Sequence, residues 1–377
     1  MERPSRIPAG GLSSFPPRLA VLNAKLSVLD LLRPPGEGLL TLTSGRGLAS
    51  RLLGAKESRS LREDWPALRA RRLAAPPREP LLLGVPSDTG GGICRGAAHG
   101  PLHIRAALYR ADAYWRARDI GDIPCIPQLL EDGMLSRRQL QRSGKWLWKT
   151  QWRTGRPVAP LNLLEESLVE IWRGTRERRV LVLGGDHSIT GAVFAALARS
   201  EKMAGLGVLH IDAHTDLLEE RFGVQHGFAT WAVPALRLLK NPAAWVQVGI
   251  RASARERSHW ETTYGLRQFW AQQVRHRDPR RFALEIERHF LKLGCRRLYI
   301  TNDIDGTDAR FAPATGTPEG GGLSPTWVRA LLRAISARME IIGADLTEVA
   351  PVLGSRGAAA RTVRCAVSYL RALRWGI

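Results

Sequence analysis

Lysine is scarce in this 377-residue chain: only seven of its 56 basic residues are Lys, so the formal net charge of +21 rests on arginine. No dense basic block accompanies that charge. The arginines are scattered, as at Arg173, Arg179, Arg251, Arg255 and Arg257, which reads as a solvated Arg-rich surface and argues against nucleic acid as a partner. Cysteine is sparse too. Cys94, Cys125, Cys295 and Cys365 lie too far apart for a C-x-x-C pair or a thiolate zinc pattern, which points to a reducing, cytoplasmic compartment. No apolar run is long enough to span a bilayer, and the N-terminus lacks the apolar stretch and cleavage site of a secretory signal. Its Arg- and Ser-bearing, acid-poor opening leaves an organelle transit peptide as the open alternative. No repeat recurs at a fixed period.

What is present is an ordinary globular composition, 44% hydrophobic and 24% charged, in a chain long enough for one large α/β domain and an appendage. Residues 1–80 carry breakers such as Pro16-Pro17, Pro34-Pro35-Gly36 and Pro76-Pro77. They read as an N-terminal extension with short helices near Arg18–Leu32 and Ser58–Leu73. From Leu81 onward short apolar runs alternate with amphipathic stretches, the pattern of a parallel sheet covered by helices. Predicted strands are Leu81–Val85, Val180–Leu183, Gly207–Ile211, Trp245–Ile250, Arg297–Thr301 and Ile341–Leu346. Predicted helices are Gly100–Arg110, Leu163–Arg173, Ile189–Ala198, Pro279–Leu293, Ser324–Arg338 and Arg356–Leu373. In open parallel sheets ligands bind beyond the carboxyl ends of the strands, so chemistry is sought there. The aromatic run Lys145–Trp152 reads as local packing or a subunit contact.

Three clusters follow predicted strands. Gly184-Gly185-Asp186-His187-Ser188 puts an imidazole at a strand end after two glycines. Asp212-Ala213-His214-Thr215-Asp216 places a potential ligand at every second position, on one side of an extended segment. Asp303-Ile304-Asp305 repeats that spacing with two carboxylates. Crowding so many acids without a cation costs several kcal/mol, on the order of the penalty for burying unpaired charge. Four Asp and two His suit a pair of hard or borderline divalent ions better than a structural zinc site.

These motifs, with Gln225-His226-Gly227, the segment Asp303–Leu323 and the entry segments Gly84–Asp88 and Gly96–Pro101, resemble the ureohydrolase family of arginases and agmatinases, in its agmatinase-like amidinohydrolase branch. The resemblance implies a three-layer α-β-α domain over residues 81–377 with a mainly parallel sheet of about eight strands. It also implies binuclear hydrolysis of a guanidino compound, agmatine or a related amine or acid, to urea and an amine. Two Mn²⁺ per chain are implied, with Ni²⁺ as the alternative in a guanidine-hydrolysing branch. One ion falls to His187, Asp212, Asp216 and Asp303, the other to Asp212, His214, Asp303 and Asp305. His226 matches the acid/base histidine and Glu348 the carboxylate that grips the guanidinium. Thr317 matches a residue beside the substrate, and Asp186 and Asp345 are expected to orient ligands. A homo-oligomer, trimer or hexamer, is implied as well.

The chain departs from arginases between Asp216 and His226. Leu217–Gln225 contains neither Asn nor Ser, the residue types with which arginases hold the amino acid end of arginine. Glu219 and Glu220 are candidates for a distal ammonium, Arg221 for a carboxylate. Guanidine hydrolysis, arginase-type activity, a catalytically idle binding protein and a single-zinc deacetylase-type enzyme are the competing readings.

Overall fold

The structure is a computed structural model and describes residues 27–41, 45–77, 79–175 and 177–373. Eight strands form one sheet: β1 Leu81–Val85, β2 Asp119–Asp122, β3 Val180–Gly184, β4 Leu206–Ile211, β5 Trp245–Ile250, β6 Arg267–Trp270, β7 Arg297–Asp303 and β8 Glu340–Thr347. Their order is β2-β1-β3-β8-β7-β4-β5-β6 and every pair is parallel. The expected architecture is therefore present. Side chains alternate between two cores, with Leu81, Leu83 and Val85 of β1 on one face and Leu82 on the other. A strand buried on both faces needs an unbroken apolar run, which is why the central strands stand out in the sequence.

Helices cover both faces. Pro160–Gly174, Ile189–Arg199 and Ala232–Leu236 bring Leu164, Trp172, Phe194 and Leu236 to one core. Gly100–Ala111, Pro279–Lys292, Pro325–Ser336 and Arg356–Leu370 bring Leu108, Phe282, Leu331 and Ala366 to the other. The six predicted helices are all present, with ends shifted by at most three residues. Two strands escaped the reading: β2 (Asp-Ile-Gly-Asp) and β6 (Arg-Gln-Phe-Trp) are four residues each and lie at the sheet edges.

The extension is tied to β2. Arg33 bridges Asp122, Leu39 bridges Cys125, and Trp65 Nε1 donates to the Leu32 carbonyl across 2.7 Å. Beneath them the fully buried Arg105 donates to Asp119 at 2.6 Å and also pairs with Asp122, while Asp122 accepts the Gly36 and Gly38 amides at 2.7 and 3.2 Å. The helix expected over Ser58–Leu73 is two helices, Ala55–Glu63 and Trp65–Leu73, the second carrying Pro66 in its first turn. Proline there lacks the amide proton needed to continue the preceding helix. Of the helix expected near Arg18–Leu32 only the turn Val28–Leu31 falls within the described residues. In the aromatic run, Trp148 is buried and Trp152 packs over Gly144, whereas Trp146 is 55% exposed. That is largely local packing.

Candidate metal centre and active site

Because the sheet is parallel, all carboxyl ends lie along one edge, and β3, β8, β7 and β4 are consecutive there. His187 follows β3, Glu348 follows β8, Asp303 ends β7 with Asp305 in the turn just after it, and Asp212 to Asp216 follow β4. The sequence clusters thus meet at the centre of the sheet. Gly185 makes the approach possible: a Cβ there would stand 1.6 Å from the Ser87 carbonyl oxygen. Only glycine fits.

His187 Nε2 lies 2.8 Å from Thr301 Oγ1, and that hydroxyl donates to Asp345 Oδ1 at 2.7 Å. Thr301 has spent its proton on Asp345, so Nε2 must be the donor and Nδ1 keeps its lone pair. That Nδ1 makes no hydrogen bond, yet Asp216, Asp212 and Asp303 carboxylate oxygens stand 3.1, 3.2 and 3.3 Å away. A bare nitrogen facing three carboxylates in a buried pocket is the arrangement a cation completes. Burial opposes a charge on His187, but the surrounding carboxylates override it and push the imidazole well up, so a proton and a metal cation compete for the same Nδ1 lone pair. Burial, then Asp305 and Asp212, drive Asp303 well above the usual carboxylate range.

The second group is less buried. His214 Nδ1 lies 3.0 Å from Asp305 Oδ2 and 3.6 Å from Asp212 Oδ1, and Thr317 Oγ1 donates to Asp305 Oδ2 at 3.0 Å. Against burial, Asp305 and Asp212 raise the His214 imidazole to about 12. Among the described residues, ligand atoms within 4.8 Å of one another form two groups, His187-His210-Asp212-Asp216 and Asp212-His214-Asp305, with Asp212 common to both. Shared carboxylates are what a two-ion site requires. The donor set of imidazole nitrogens and carboxylate oxygens fits such ions.

Glu348 is buried, and its Oε1 accepts the His187 amide at 2.9 Å. Burial, reinforced by Asp186, raises its carboxyl well above the ordinary range, and burial also lifts Asp186, to about 6. An apolar, acid-rich cradle of this kind gains by receiving a cationic partner. Asp216 and Glu348 both adopt left-handed backbone, φ 53° and 60°, conformations that cost residues with a Cβ energy and cluster at functional sites. His226 stands apart: its Nδ1 bonds Glu131 rather than any of the six candidate ligands.

Several contributors escaped sequence reasoning. His210 Nε2 bonds Asp212 Oδ2 at 2.8 Å while its Nδ1 accepts from Gln247 at 3.0 Å. With both nitrogens engaged, His210 orients the candidate ligand Asp212. Its sequence signal was a histidine two positions before Asp212, on the same face of β4. Trp231 Nε1 fixes Asp216 Oδ2 at 2.7 Å. Asp345, which the sequence singled out, accepts hydroxyls from Tyr299, Thr190 and Thr301 at 2.8, 3.0 and 2.7 Å. Glu219, the candidate for a substrate ammonium, is instead paired with Arg237 at 2.7 Å.

Comparison with known proteins bears on this centre. The arginase family model matches residues 78–373, and the chain belongs to the arginase family. The N(1)-aminopropylagmatine ureohydrolase of Thermus thermophilus is 36% identical over 271 residues, 72% of this chain and 82% of that protein. The guanidinobutyrase of Pseudomonas aeruginosa is 29% identical over 292 residues, 73% and 80%. Among solved structures, a hypothetical agmatinase from Burkholderia thailandensis superposes with a TM-score of 0.59 at 28% identity, covering 78% of this chain and 85% of that one. The protein is accordingly an agmatinase-like ureohydrolase, a hydrolase of amidino carbon–nitrogen bonds.

Proposed function

We propose that the chain hydrolyses a guanidino acid to urea and the corresponding amine at two divalent cations, Mn²⁺ by resemblance with Ni²⁺ as alternative. The bare His187 Nδ1 facing three carboxylates at 3.1–3.3 Å carries this reading. His187, Asp212, Asp216 and Asp303 hold one ion, and Asp212, His214, Asp303 and Asp305 the other. When bound, the ions supply a water acidified enough to act as nucleophile near neutral pH. Glu348 receives the guanidinium through charge-assisted hydrogen bonds and fixes its central carbon for attack. Oxygen bonds to that carbon, the bond to the alkyl-bearing nitrogen breaks, and His226 provides the proton with which the amine departs. Thr317 steadies Asp305.

The acid end of the substrate follows from the neighbouring cavity. About 470 Å³ is lined by Gly90, Arg95, Arg221, Phe228 and Thr230 among others, with no Asp or Glu in the lining. Arg221 lies over the Phe228 ring and meets no carboxylate among the described residues. The loop that carries Arg95 comes near Glu348: Cys94 O and Glu348 Oε2 lie 3.0 and 3.7 Å from the position of a Cβ on Gly316. The guanidinium groups of Arg95, which donates to the Thr89 carbonyl at 3.3 Å, and of Arg221 in this cavity favour a carboxylate tail over an ammonium.

Urea release from 4-guanidinobutyrate, 3-guanidinopropionate, agmatine, arginine and guanidine tests the reading, with Asp303→Ala as control. Turnover of the guanidino acids that vanishes in the variant is expected; none of the five being hydrolysed by protein holding two ions per chain would overturn it. We further assign residues 1–80 to an extension and 81–377 to the catalytic domain, and infer a cytoplasmic homo-oligomer. No helix among the described residues is long and apolar enough to cross a membrane, and the four cysteines are unpaired thiols.

A further inference from the structure

Glu131 lies in the loop after β2, outside the motifs that define the site, yet its carboxylate bonds His226 Nδ1 across 95 residues of sequence. The loop is fastened on both sides of it. Leu130 accepts the Leu161 amide at 3.2 Å, and the Asp132 carboxylate accepts the Ala159 amide at 2.7 Å while its own amide donates to Asn162 at 2.7 Å. His226 is equally anchored, since Gly227 N donates to Thr230 Oγ1 at 2.8 Å and Phe228 N to the Gly90 carbonyl at 2.9 Å. Both partners are delivered by fixed backbone. The two side chains border one cavity of about 390 Å³ that reaches Ser188, the neighbour of His187.

We propose that Glu131 is the positioning residue for His226, holding the imidazole through Nδ1 so that Nε2 delivers the proton to the departing amine. This rests on the acid role given to His226 above. A carboxylate on one ring nitrogen fixes the tautomer and stabilises the imidazolium. In accord, the His226 imidazole is raised above its ordinary value, chiefly by Glu131, against a smaller opposing effect of burial. The gain is a wider working range: an attacking water that must lose a proton works better as pH rises, whereas an acid that must give one works worse. Of the other elements around the cavity, the helix Pro160–Gly174 contributes Glu165, which adds to the rise; Arg199 from Ile189–Arg199 pairs with Glu165 and Glu166; and Ala232–Leu236 offers no titratable group.

The test uses the metal-loaded full chain with Glu131→Gln, which keeps shape and removes charge, and Glu131→Asp. The pH dependence of diethyl pyrocarbonate labelling at His226, read by peptide mass spectrometry, gives its titration whether or not turnover is detected. Glu131→Gln is expected to lower that midpoint by about one pH unit. The alkaline fall of kcat should move down with it, and kcat above that point should drop about tenfold at unchanged KM. Glu131→Asp should restore part of the shift. An unaltered midpoint, or a faster Glu131→Gln enzyme, overturns the inference, the latter by making the pair a latch. Failure of the wild type on every guanidino compound strikes instead at the proposed function, and the labelling midpoints then decide the pairing alone.

Discussion

His210 on β4 and Asp212 just after it are joined by a 2.8 Å hydrogen bond whose donor is fixed from two strands away. Trp270 Nε1 donates to Gln268 Oε1 at 2.9 Å, Gln268 to Gln247 Oε1 at 2.7 Å, and Gln247 to His210 Nδ1 at 3.0 Å, which leaves Nε2 to donate to Asp212. The orientation of Asp212, the candidate ligand common to both groups, is thus set from the sheet edge. Gln247→Leu, which removes the donor but keeps the bulk, should weaken metal binding about 10- to 100-fold, the usual cost of losing a partner behind a ligand. Calorimetric Mn²⁺ titration reads this, and an affinity equal to wild type would show that His210 holds its tautomer unaided.

Removing the ions should destabilise the protein as well as silence it. Chelated protein is expected to melt lower than protein with Mn²⁺ at a hundredfold excess over Kd, the difference corresponding to about 2.7 kcal/mol. Asp303→Ala should show little of that difference. Differential scanning calorimetry with and without chelator decides it; an equal response in the variant would place the stabilising ion elsewhere.

The choice between carboxylate and ammonium tails is open to a direct contrast. Arg221→Gln should raise KM for 4-guanidinobutyrate by up to about fivefold, the range for exposed ion pairs, and leave agmatine unaffected or improved. Steady-state kinetics on both substrates checks it. A uniform change in the two would mean that Arg221 shapes the loop rather than reading the substrate.

The buried Arg105 neutralises Asp119 and Asp122 beneath the extension. Arg105→Met should cost about 3–5 kcal/mol by leaving two buried carboxylates without a counter-charge. Burial already holds Asp122 above its ordinary value, with Arg105 opposing, and losing Arg105 raises it further. A raised carboxyl penalises folding only when ionised, so the deficit should be absent below the unfolded pKa and grow as pH rises toward the folded one. Urea denaturation at several pH values reads both size and slope.

Much of the candidate centre was legible because its candidate ligands are local in sequence: Asp212, His214 and Asp216 occupy five residues after an apolar strand, and Asp303 and Asp305 three. The central strands announced themselves through double-sided burial. By contrast β2 spends two of its four residues on buried aspartates that satisfy Arg105, so its composition resembles a turn. Glu131 carried no signal, since its meaning arises from a partner 95 residues away. Gln247 is the same kind of case, a polar residue in a buried strand whose purpose lies on the adjacent one. His210 alone could have been found, from strand alternation.

The separations within the centre also bear on how the chain is made. His187 and Glu348 touch although they lie 161 positions apart, and β3, which leads to His187, joins the paired strands β7 and β4 only when β8 enters between β3 and β7. During synthesis, the segments through β7 emerge before the strand that closes the sheet, so the full cradle forms last. Docking of Glu348 against His187 therefore marks the completion of the site, and a nascent chain halted before β8 holds the acids of β4 and β7 together without the strand that brings His187 to them.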